Sequence, residues 1–152
     1  MSILVGAGHF PGPRTDPRLQ KLLTVLTTCE VPEPISQAFF LVTIAIAEQM
    51  KKEGIAFNAG LPINCFFIDD RSFTVSLSPD QLAVCMRLAV YPVGVLLSAA
   101  SQPVLMMLLA EELCHLIWNM PDEVQINCKV LEVLQNLDPT LTLQRLGYRT
   151  EA

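Results

Sequence analysis

Two adjacent carboxylates and a histidine, Glu111-Glu112-Leu113-Cys114-His115, stand in an otherwise apolar stretch from Val104 to Trp118. If that stretch is a helix, residues three and four apart share a face, and Glu111, Glu112 and His115 approach one side of it. Carboxylates on such a surface call for a partner or a metal, because a buried charge left alone is costly. A glutamate four residues before a histidine also makes an ordinary local ion pair, so these residues by themselves leave both outcomes open.

The segment resembles the active-site helix of the zincin metallopeptidases, whose pattern is H-E-x-x-H. In that family the two histidines bind zinc and the glutamate between them activates the metal-bound water. By this resemblance Glu112 takes the place of the catalytic general base and His115 that of the second histidine. Glu111 stands where the first histidine would be, as a substitute ligand. Downstream, Asp122-Glu123-Val124-Gln125-Ile126-Asn127 is similar to the acid-rich, asparagine-containing segment that supplies a third ligand in some small zincins, with Glu123 as the match. The likeness runs from Val104 to Leu134. It implies a small sheet beside the helix and a ligand set of Glu111, His115 and Glu123. One nitrogen and two carboxylates form a harder, more anionic set than zinc usually takes, and suit manganese or iron as well. With the first histidine replaced, the resemblance implies a zincin-like protein with a degenerate metal site, serving as an interaction or structural protein with a protein or peptide partner. The alternative is a metal-dependent peptidase or hydrolase that uses Glu112 as general base. The E-x-x-H half-motif also occurs in di-iron bundles, but these need a second copy, and the only other histidine is His9.

Other candidates for chemistry are weaker. Ser98 and Ser101 lack a nearby histidine and the glycines of a nucleophile elbow. Cys114 and His115 are adjacent, so on a helix they point in different directions. Asp69 and Asp70 read as solvated turn residues. Ile3 to Gly8 has the opening of a dinucleotide-binding turn without its third glycine or a following amphipathic helix. Trp118, Met106 and Met107 read as core.

Several elements must position the acidic and histidine residues. Residues 1–16, rich in glycine and proline, read as an irregular arm, and 17–152 as a single domain. Helices are expected over 17–29, with Leu19, Leu22, Leu23 and Leu26 on one face, and over 35–53, closed by Lys51, Lys52 and Gly54. Cys65–Ile68 and Phe73–Leu77 around Asp69-Asp70-Arg71-Ser72 read as an antiparallel hairpin. Helices over 80–99, 103–118 and 122–137 follow, then a short one from Asp138 that Gly147 closes. The expected class is α+β: a predominantly helical body with a small antiparallel sheet, zincin-like.

Composition sets the bounds. Of 152 residues, 51% are hydrophobic and 16% charged, enough for one well-buried core. A net charge of −5 without basic clusters argues against nucleic acid. Five cysteines without a C-x-x-C pair read as free thiols in a reducing compartment, and no signal-peptide pattern opens the chain, so a cytoplasmic location is expected. Residues 88–110 carry no charge, yet Ser101-Gln102-Pro103 reads as a junction between two buried segments, not the middle of a membrane span. The apolar run between Asp80 and Trp118 leads to the expectation of a homodimer.

Overall fold

The structure is a computed structural model. It describes residues 3–5, 10–58, 60–69, 75–77 and 87–149, and of 3–5 and 75–77 the backbone only. It is α+β. Strands β1 (Ile3–Val5), β2 (Leu23–Thr27), β3 (Ile63–Ile68), β4 (Val75–Leu77) and β5 (Arg87–Pro92) accompany helices α1 (Glu33–Glu53), α2 (Val93–Leu97), α3 (Gln102–Ile117) and α4 (Glu123–Leu134). The main sheet has the order β2-β3-β5 and is parallel throughout. A separate antiparallel pair joins β1 to β4, with Ile3 opposite Leu77.

The small sheet is therefore parallel, not the antiparallel hairpin that the sequence suggested. β3 lies between β2 and β5, and Val75–Leu77 of the expected second strand pairs with β1 instead. The physical reason is visible in β3 itself. Ile63, Cys65, Phe66, Phe67 and Ile68 are all fully buried. A strand covered on both faces carries a continuous apolar run, whereas a half-exposed hairpin alternates. The expected turn, Asp70-Arg71-Ser72, lies outside the described residues.

The helix expected over 17–29 is replaced by a single 3-10 turn, Pro17–Leu19, followed by β2. Leucines at helical spacing misled here. Thr24, Val25 and Thr27 favour the extended form, and pairing with the apolar β3 outweighs a weak helical preference. Of the helix expected over 80–99, residues 80–86 lie outside the described residues. Residues 87–92 form β5, which pairs with β3 from Ile63 opposite Arg87 to Ile68 opposite Pro92. Only Val93–Leu97 is helical, as α2. Pro92 is the last residue of β5 and the N-cap of α2, a strand end where proline is tolerated. The short helix expected from Asp138 is a run of turns ending at Gly147, whose φ of 90° requires glycine-like freedom.

The three long helices match the sequence reading closely. α1 follows β2 and returns the chain to β3, the crossover that a parallel pair requires. Gly54, at φ 70°, caps α1 with its N–H on the Lys51 and Met50 carbonyls. Phe39 of α1 is fully buried against the sheet, edge-on to Phe67 with ring centroids 5.1 Å apart and to Tyr91 at 6.1 Å. The Tyr91 hydroxyl donates to the Leu109 carbonyl at 2.6 Å, tying β5 to α3. Glu53 of α1 pairs with Lys129 of α4 at 3.1 Å, and Gln49 donates to Glu132 at 2.7 Å. The segment before β2 is fastened to α1 as well. The Asp16 N–H donates to the buried Thr43 hydroxyl, and Arg18 bridges Asp16 and Glu48. Among the described residues no helix is long and apolar enough to cross a membrane. The uncharged run 88–110 is divided between β5, α2, a junction and the start of α3, with the Ser101 hydroxyl capping α3 by accepting from the Val104 N–H.

Candidate functional site

α3 presents Leu105, Leu109 and Leu113 to the core, and this fixes which way the remaining positions face. Glu111 and His115 fall together at the rim of its last two turns, each side chain 23% exposed. The helix ends at Trp118. Asn119 adopts φ 51°, a left-handed value that asparagine tolerates better than most residues, and the chain reverses. Asp122 then caps α4 by accepting from the Gln125 N–H at 2.9 Å. This tight turn returns Glu123, the first residue of α4, to the end of α3. One ligand atom each from Glu111, His115 and Glu123 lies within 4.8 Å of the others. Glu123 is the exposed member, so the cluster opens to solvent on one side.

His115 is oriented by the turn it helps close. Its Nδ1 lies 2.6 Å from the Met120 carbonyl oxygen, which can only accept, so Nδ1 carries the proton and donates. In the neutral ring Nε2 is then the nitrogen with a lone pair, and it faces Glu111 of the cluster. Fixing one ring nitrogen on a backbone carbonyl is how a metal-ligating histidine is commonly held. Nε2 and Glu111 Oε1 are 3.9 Å apart, too far for a direct hydrogen bond. Two ligands on a tetrahedral zinc at about 2.0–2.1 Å stand roughly 3.3 Å apart. The pair is thus spaced slightly wider than a bound zinc would hold it, within reach of a small side-chain rotation. The donor set and its spacing fit a divalent ion.

The electrostatics fit as well. Burial raises the Glu111 carboxyl above its ordinary range; the Tyr148 hydroxyl and His115 lower it, while Glu123 and Glu112 raise it further. Glu111 lies near the C-terminal, negative end of the α3 dipole and Glu123 at the N-terminal end of α4, so the two carboxylates meet where a cation would relieve the charge on Glu111.

Sequence reasoning brought out Glu111, His115 and Glu123, and the structure brings these three together. Glu112 is exposed and does not belong to the group. Tyr148 was missed. Its hydroxyl lies 3.2 Å from Glu111 Oε2, from a segment 37 residues further along the chain, and no spacing rule announces such a contact. Cys114 is fully buried, and burial pushes its thiol up, so it does not join the site. Ser98 donates to the Val95 carbonyl and Ser101 serves as the cap of α3. A groove of 570 Å³ between residues 11–14 and α1 is lined by none of the cluster residues. Comparison with family models, with curated proteins and with solved structures finds no match for this chain.

Proposed function

We propose that this chain is a zincin-like, divalent-metal-binding protein whose site serves interaction or structure and not peptide hydrolysis. The observation that carries the reading is the convergence of Glu111, His115 and Glu123 from two helices on one small space. When bound, the ion would link the end of α3 to the start of α4 and leave an open position towards solvent. Two anionic ligands neutralise most of a divalent charge, which weakens its power to acidify a bound water. That argues against efficient hydrolysis with Glu112 as base. Zinc is the first choice, with manganese or iron suited to the carboxylates. Calorimetric titration of the purified chain with zinc is expected to give one ion per chain, and with manganese a weaker isotherm of the same stoichiometry. Absence of binding to either ion would remove this reading.

We further propose assembly as a homodimer in a reducing, cytoplasmic setting. Leu97 is 60% exposed and Val95 43%, on the short helix that the uncharged run contributes to the surface. Cys65 and Cys114 are buried free thiols, and burial pushes Cys65 up to about 12, which keeps it an unreactive thiol. Light scattering at micromolar concentration should return twice the chain mass, and Leu97→Glu should return the single mass. A wild-type monomer would end the dimer proposal and leave the metal reading untouched.

A further inference from the structure

We infer that Tyr148 is a positioning residue that holds Glu111 as a one-oxygen ligand and thereby sets the preference of the site between metals; this rests on the metal-binding reading above. The two oxygens of Glu111 are divided in function. Oε2 accepts the Tyr148 hydroxyl at 3.2 Å, and Oε1 faces His115 Nε2 at 3.9 Å. A phenol hydroxyl bound to one oxygen of a carboxylate leaves the other as the available ligand atom. Single-oxygen binding matches four-coordinate zinc. An ion that favours a fuller oxygen shell, such as manganese, gains more from a carboxylate that binds through both oxygens.

The hydroxyl is not on a loose tail. Leu146 is fully buried just before it, and the ring of Tyr148 packs against the core. Gly147 sits against Val104 of α3, the helix that carries Glu111. The Tyr148 N–H donates to the Leu143 carbonyl, closing the turn. The segment and the ligand helix are therefore one packed unit, and the Tyr148–Glu111 bond is set by that packing.

Tyr148→Phe keeps the ring and removes only the hydroxyl. Zinc and manganese ions are titrated separately into the wild-type chain and the variant. The advantage of zinc over manganese is expected to fall about tenfold in the variant, the lower end of what losing a hydrogen bond to a metal ligand usually costs. With cobalt(II) as probe, the strong visible absorption of a four-coordinate site should give way to the weak bands of a higher coordination number. In a Glu111→His background the same Tyr148→Phe change should leave the zinc-to-manganese ratio where it was, because the second oxygen is gone. Wild-type protein that binds no metal overturns the metal reading and this inference together. Wild-type binding with an unchanged ratio in Tyr148→Phe overturns this inference alone. Equal weakening of both metals, repeated in the Glu111→His background, would also overturn it and assign Tyr148 to packing.

Discussion

Glu111→His is expected to tighten zinc binding by roughly a hundredfold, equivalent to about 2.8 kcal/mol. The substitution recreates two histidines one helical turn apart, with Glu112 between them. Imidazole is a better zinc donor than carboxylate, and the site already holds more negative charge than it needs. Removing this half-buried carboxylate also relieves the burial, and after it the nearby Glu123 and Glu112 charges, that raise the Glu111 carboxyl in the natural chain. Calorimetric titration of both proteins at one pH measures the change. Equal affinities would mean that position 111 does not face the ion. His115→Ala in the same variant serves as the opposing control, with zinc binding expected to collapse.

The second large effect concerns the body that positions the site. Phe39→Ala should destabilise the domain by about 4 kcal/mol, the usual cost of emptying a buried aromatic position. Phe39 has no solvent exposure and touches both Phe67 of β3 and Tyr91 of β5, so its loss opens a cavity where α1 meets two strands. For a domain of this size the melting temperature should fall by roughly 10 °C. Urea unfolding with an unchanged slope checks that the same structure is being weakened. A loss below about 1 kcal/mol would mean that the space refills, contrary to the rigid aromatic packing described. Zinc affinity of the folded fraction should stay constant, because Phe39 is not part of the Glu111–His115–Glu123 cluster.

Much of the helical part was legible in the residues. α1, α3 and α4 declare themselves through long apolar periodic runs and through local stop and start signals such as Gly54, Ser101 and Asp122. These signals act within a few residues, so no distant partner is needed to read them. The strands were less legible. Leu22 to Thr27 carries leucines at helical spacing, and its extended form becomes favourable only when β3 supplies the other half of the ladder. Likewise Arg87 to Pro92 reads as part of a helix until β3 is placed beside it. Strand pairing spends hydrogen bonds on residues far away in the chain, and local propensity cannot register that gain.

The site divides in the same way. The sequence by itself determined that Glu111 and His115 share one helical face, because four residues make about one turn. It also placed Glu123 at a helix start, where an acid is favoured. Only the tertiary structure decided that these groups meet. The reversal at Asn119 and the packing of α4 against α3 set the direction from which Glu123 returns. Only the tertiary structure placed the Met120 carbonyl on His115 and the Tyr148 hydroxyl on Glu111. It also decided that the sheet is parallel, since the direction in which β3 enters depends on α1 packing across Phe67 and Tyr91. Helical spacing is a property of consecutive residues. Which helices and strands become neighbours is settled by burying the most apolar surface at once, and that is a property of the whole chain.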